Sequence, residues 1–212
     1  MAKITKLEVQ KRNKERVNVF LDEDYAFSIS AELIYKEGIK VKDSVDSEKL
    51  KVLANKDAII KCREAAIKTI ERNLKTEKQV RDKLTLKGYD EEAITKAIDF
   101  LKEYNFLDDK DYTNKFVKDK LKCQGSNKIR YSLMQKGVSK DVIEEELSSI
   151  DKENEKESAL ILAQKKLNSL RKTEDDTYKI SNKLYRFLLS KGYGYDIIKD
   201  VVKEAMNFEL YD

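Results

Sequence analysis

Residues 80–98 read VRDKLTLKGYDEEAITKAI, residues 129–147 read IRYSLMQKGVSKDVIEEEL, and residues 184–202 read LYRFLLSKGYGYDIIKDVV. Aligned on their Lys-Gly pairs (Lys87-Gly88, Lys136-Gly137, Lys191-Gly192), the three stretches agree in apolar pattern. Eight residues before each glycine stand Val80, Ile129 and Leu184, and four before it Leu84, Leu133 and Leu188. One residue after it come Tyr89, Val138 and Tyr193, then Ala93-Ile94, Val142-Ile143 and Ile197-Ile198, and finally Ile98, Leu147 and Val202. Apolar residues four apart share one helix face. The glycine suits a left-handed helix stop, and the lysine beside it suits the negative end of the helix dipole. Asp90 and Ser139 are placed to cap the helix that follows, and Thr76 with Gln79 forms a capping box for the helix that precedes the first pair.

Another helical stretch lies upstream of each pair, at residues 59–73, 109–123 and 157–170. The unit is therefore helix–helix–glycine turn–helix, repeated at about fifty residues. One such unit buries too little surface to be very stable alone, so neighbours are expected to pack end to end in an elongated array.

The first fifty residues differ. Residues 3–10, 16–21 and 25–29 alternate polar and apolar and are rich in Val, Ile, Phe and Tyr, which predicts a small antiparallel meander. Charged turns join its strands at Lys11–Glu15 and Asp22–Asp24. A short helix over 31–37 follows and stops at Gly38. The fold class is thus mainly α: three tandem three-helix, helix-turn-helix-like repeats behind an N-terminal β meander. The division is 1–50 for the β-rich extension, 51–108 for repeat 1, 109–150 for repeat 2 and 151–212 for repeat 3.

Composition supports this and excludes much else. Of 212 residues, 40% are charged; there is no proline, tryptophan or histidine, and only six glycines. Without histidine there is no Ser-His-Asp or Cys-His pair and no His-ligated metal. Cys62 and Cys123 are too few and too far apart for a zinc site. No cofactor is expected, and an enzyme is disfavoured. Lacking a signal peptide or a long apolar run, the chain reads as soluble and cytoplasmic, without a membrane partner.

The net charge of +4 conceals a local excess. Residues 1–50 and 151–212 are balanced, but residues 113–140 carry eight basic residues against Asp119 alone. Such a segment is a candidate polyanion footprint. Lys115, Lys118 and Lys122, three and four apart, share a helix face opposite an arc of Tyr112, Phe116, Val117 and Leu121. Lys120 falls within that arc and is expected to snorkel. Ile129 and Leu133 bury the next helix and leave Lys128, Arg130 and Tyr131 toward solvent, with Lys136 at its end. Asp108-Asp109 reads as a helix cap rather than a catalytic pair.

Several of these stretches also resemble a known family. LTLKGYDEEAITKAIDFL at 84–101, NFLDDKDY at 105–112, Phe116-Val117 and GSNKIRYSLMQKGV at 125–138 are similar, in order and spacing, to the signature segments of RecX, the bacterial regulator of the RecA recombinase. The resemblance is close over 57–150 and looser over 151–212, and the N-terminal extension fits longer members. It implies an array of three three-helix repeats, acting as a monomer, that binds along RecA–DNA filaments. It also implies inhibition of ATP hydrolysis, strand exchange and co-protease activity, hence control of recombinational repair and the SOS response. Single- and double-stranded DNA are implied as further partners. Lysine here often stands where family members carry arginine, so bidentate phosphate contacts are fewer. The rival reading is a helix-turn-helix transcription regulator. It is disfavoured because the helices after each glycine open with acids (Asp90, Glu91, Glu92; Asp141; Asp196), which repel phosphate.

Overall fold

The computed structural model describes residues 1–11 and 13–207, so Arg12, within the first predicted turn, lies outside the described residues. Strands β1 (Ala2–Val9), β2 (Arg16–Leu21) and β3 (Asp24–Ser30) form the expected antiparallel meander. A fourth strand, β4 (Ser44–Val45), is added on the free side of β1, giving the order β3-β2-β1-β4. Two residues carry too little pattern to be read as a strand from sequence; pairing with Ala2 and Lys3 creates it. The turn between β2 and β3 is tight, with Asp22 and Glu23 both at positive φ. Val17 and Val19 face Ile29 and Phe27 across the β2–β3 ladder, and all four are buried.

Helix α1 (Ala31–Lys36) is capped by the Ser30 hydroxyl, which accepts from Leu33 N–H, and the chain turns at Gly38 with φ +63°. Helix α2 (Ser47–Ile70) is longer than the predicted stretch and serves two cores. Its start, through Leu50 and Ala54, closes the sheet over Ile4, Val19 and Ile29. Its second half, through Ala58, Cys62, Ala65 and Ala66, packs on the helices of repeat 1. Those are α3 (Glu77–Leu86), with both halves of the Thr76/Gln79 capping box present, and α4 (Glu91–Glu103), capped by Asp90.

Repeat 2 comprises α5 (Asp109–Lys120), α6 (Ser126–Gln135) and α7 (Lys140–Ser148), the last capped by Ser139. Repeat 3 comprises α8 (Lys152–Leu170), α9 (Thr177–Lys191) and α10 (Tyr195–Asn207). The described residues form two compact units that divide between Asp108 and Asp109.

The repeat pattern is realised before and just after each glycine, and further on Val142, Ile197 and Val202 are half-buried against their cores. Val80, Leu84, Ile129, Leu133, Leu184 and Leu188 have no exposed surface. Gly88, Gly137 and Gly192 sit at φ +83°, +82° and +87°, the left-handed stop for which glycine pays no Cβ penalty. Tyr89, Val138 and Tyr193 are buried after them as wedges. The first helix of repeats 1 and 3 buries a stripe of small residues four apart, Ala54, Ala58, Cys62 and Ala66 on α2, Ala159 and Ala163 on α8, which lets the following helices approach closely.

Among the described residues no helix is long and apolar enough to cross a membrane, and no three His, Cys, Asp or Glu side chains gather to hold a metal ion.

Candidate functional site

The basic segment occupies α5, the turn after it and α6. On α5, Tyr112 and Val117 are buried and Phe116 half-buried, and Leu121 just after the helix is half-buried too, all within the core of repeat 2. Lys115 and Lys118 are left exposed. Lys115 Nζ donates to Asp111 one turn earlier, at 2.7 Å. Lys122 is also exposed but does not continue the helix face. Leu121 N–H still bonds Val117 O, after which Cys123 and Gln124 N–H both turn back to Lys120 O and end the helix. The predicted three-lysine face is thus two helical lysines and one in the following turn.

Lys120 snorkels as expected: it is half-buried, pairs with Asp119 at 2.8 Å, and holds its ammonium 5.7 Å from the centre of the Phe116 ring. Lys136 lies over the same ring at 5.6 Å. A half-buried phenylalanine flanked by two ammonium groups was not read from the sequence, because Phe116 and Lys136 lie twenty residues apart and only the fold of repeat 2 joins them. The Asp119 carboxylate holds the Lys120 pKa above its ordinary value, and the Lys120 ammonium holds the Asp119 carboxyl below its own.

Two more residues of the basic segment, Arg130 and Lys128, are also engaged within the protein. Arg130 makes a forked pair with Glu144 on α7, Nε to Oε1 at 2.8 Å and Nη2 to Oε2 at 3.1 Å, and its Nη1 donates to Asn127. That pair holds the Glu144 carboxyl below the usual range. Lys128 Nζ donates to the carbonyl of Ser190 near the C-terminal end of α9, where the helix dipole favours a cation.

Lys128 belongs to a joint between repeats 2 and 3. Gly125 N–H donates to Lys191 O and Asn127 N–H to Gly192 O, so the start of α6 caps the end of α9. Glu155 of α8, 5% exposed, accepts from Ser126 N–H at 2.7 Å and caps α6 where Gly125 has no side chain to do so. The Gly125-Ser126 signature is therefore a close helix–helix approach. Tyr131 and Met134 remain exposed on α6, at 64% and 55%.

At the start of α4, Glu91 binds Arg81 at 2.6 Å and Glu92 binds Lys96, leaving acids where a base-reading helix would need donors.

Three consecutive three-helix units behind a small antiparallel sheet define the class: a tandem three-helix-repeat protein with a cationic stretch at residues 113–140 of its middle repeat. The regulatory protein RecX N-terminal domain matches residues 2–46, and the first, second and third three-helix domains of RecX match residues 62–101, 108–147 and 153–202. The chain belongs to the RecX family. It is 97% identical over its whole length to the whole of a regulatory protein RecX of Clostridium botulinum (strain Eklund 17B / Type B), and 56% identical, again over both full lengths, to that of Clostridium beijerinckii. Among solved structures, a regulatory protein RecX superposes with a TM-score of 0.67 at 25% identity, covering 96% of this chain and all of that one. RecX from Lactobacillus salivarius gives 0.64 at 30% identity, covering 70% of this chain and 97% of that one.

Proposed function

We propose that this chain is a non-enzymatic regulator that docks on RecA–DNA filaments, contacts protein and DNA together, and restrains ATP hydrolysis, strand exchange and co-protease activity. Recombinational repair and the SOS response are the processes it would modulate. The observation that carries the reading is the match of all four RecX modules, in order, from residue 2 to residue 202. The mechanism is mechanical: preferential binding to one filament state opposes the changes that accompany ATP turnover.

The contact surface we assign to the middle repeat is Lys115, Lys118, Lys122, Lys128, Arg130, Tyr131 and Lys136. It is supported by the exposure of Lys115, Lys118, Lys122 and Tyr131 and by the cation-flanked Phe116 beside Lys136. Arg130 and Lys128 contribute by holding α6 in place. One exposed tyrosine amid lysines suits phosphates and a stacked base, or an acidic protein surface.

The test is RecA ATPase on single-stranded DNA, with this protein well below the RecA concentration, and a parallel titration on bare DNA at two salt concentrations. Strong substoichiometric inhibition, where bare DNA is hardly bound, is the expected result. Tight DNA binding with no effect on ATPase would overturn the reading and favour a helix-turn-helix DNA regulator.

A further inference from the structure

The joint between the N-terminal sheet and repeat 1, within residues 1–108, encloses a cleft of about 810 Å³. That is within the range of small-ligand sites. Five of its lining side chains are cationic: Lys14, Arg16, Lys61, Lys68 and Lys87. Three are acidic, Glu15, Glu32 and Glu64. Glu32 is taken by Lys61 at 2.7 Å, and Glu64 lies 3.8 Å from the same ammonium.

Arg16 is the unusual member. Its side chain is 3% exposed, and its guanidinium lies 4.9 Å from the centre of the Tyr89 ring. Nε and Nη1 are buried and have no hydrogen-bond partner. The nearest carboxylate, Asp90, is 4.0 Å from Nη2, is itself 56% exposed, and already accepts from Ala93 N–H as the cap of α4. A buried guanidinium with so little compensation is costly, and buried polar groups left unpaired in this way are rare. The surrounding elements hold it firmly nonetheless. Arg16 N–H bonds Asn13 O, Ala31 N–H bonds Glu15 O, and the Tyr89 hydroxyl donates to Lys61 O at 3.1 Å.

We propose that this cleft binds a phosphoryl group, with Arg16 at its floor and Lys14, Lys68 and Lys87 around it. A phosphate offers several acceptor oxygens and up to two negative charges, which matches one fork-shaped donor and three ammonium groups better than a single carboxylate does. The glutamates in the lining disfavour a long polyanion threaded through the cleft and favour one compact group. Two sources share that chemistry: a free phosphate or phosphorylated small molecule, and the terminal phosphate of a nucleic-acid strand. The cleft shares no residue with the middle-repeat surface, and the proposal does not depend on RecA regulation.

The experiment uses the full chain. Its melting temperature is followed with inorganic phosphate and, at equal ionic strength, with chloride; a 5′-phosphorylated oligonucleotide is then compared with its 5′-hydroxyl counterpart. Phosphate is expected to raise the melting temperature by roughly 2 °C or more beyond chloride at about 10 mM. Preference for the 5′-phosphorylated strand would assign the group to a nucleic-acid end; equal response to both strands would assign it to a free phosphate. Arg16→Gln should abolish the phosphate increment. Because that variant alters a buried position, Lys14→Gln, on the exposed rim, is the second probe and should reduce apparent affinity for phosphate without lowering the melting temperature in chloride. A phosphate effect no larger than that of chloride, or one undiminished in the rim variant, would overturn the proposal.

Discussion

Tyr89 and Tyr193 hold the same place after their glycines, and both are buried, yet their hydroxyls meet different surroundings. Tyr89 donates to Lys61 O, whereas the Tyr193 hydroxyl is buried without a partner. Removing a paired hydroxyl costs about 1 kcal/mol, while removing an orphaned one relieves a desolvation penalty. Tyr89→Phe should therefore lower stability in urea unfolding, and Tyr193→Phe should leave it unchanged or raise it. Equal losses in both variants would contradict the difference in hydrogen bonding. The two thiols differ as sharply. Cys62 is fully buried and burial pushes its pKa up to about 12, while Cys123 is exposed. One thiol per native chain should react with a disulfide reagent at about pH 8, and two after unfolding. In the unfolded chain a thiol ionises near pH ~8.5. Between there and about 12 the folded state keeps a proton that the unfolded state has lost, so Cys62 makes stability fall as pH rises through that window. Cys62→Ala should weaken this alkaline decline, measured as the urea midpoint against pH.

At the level of elements, glycines separate backbone conformation from packing. Gly38 has φ +63° with open space around it, so Gly38→Ala costs the left-handed strain alone, about 1 kcal/mol. Gly125 has φ −80°, which any residue adopts, but a Cβ there would lie 2.5 Å from Gly192 O and the Tyr193 backbone. Gly125→Ala should cost about 1–3 kcal/mol through overlap at the α6–α9 joint. Gly192→Ala combines both effects, since a Cβ there also meets the Lys128 backbone, and should be the most destabilising of the three in urea melts. The forked Arg130–Glu144 pair joins α6 to α7 in the same structural sense. Arg130→Ala is expected to lower stability more than it lowers partner affinity.

For the molecule as a whole, a net charge of +4 is spread over modules of unlike character, with the cationic excess in residues 113–140. Charge reversal of Lys115, Lys118 and Lys122 to Glu should therefore weaken filament binding and flatten its salt dependence. Reversal of Lys49, Lys51 and Lys56, exposed on α2, changes net charge equally and should leave binding intact. Equal loss in both variants would point to net charge rather than to the middle repeat.

What the sequence determined by itself is the repeat: the offsets of apolar residues about Gly88, Gly137 and Gly192 specify helix, left-handed stop and helix, because each preference acts within a few residues. The three longer strands, the capping box and the burial of Cys62 were legible for the same local reason. The short strand β4, the single α2 shared by two cores, the engagement of Lys128 and Arg130, and the unpaired guanidinium of Arg16 were decided only by tertiary structure. Each depends on groups far apart in the chain: Ala2 with Val45, Lys128 with Ser190, Arg16 with Tyr89. A cation's type and position show that it needs a partner. Whether an internal carboxylate, a carbonyl or an external anion meets that need is settled by which surfaces the packed helices bring together.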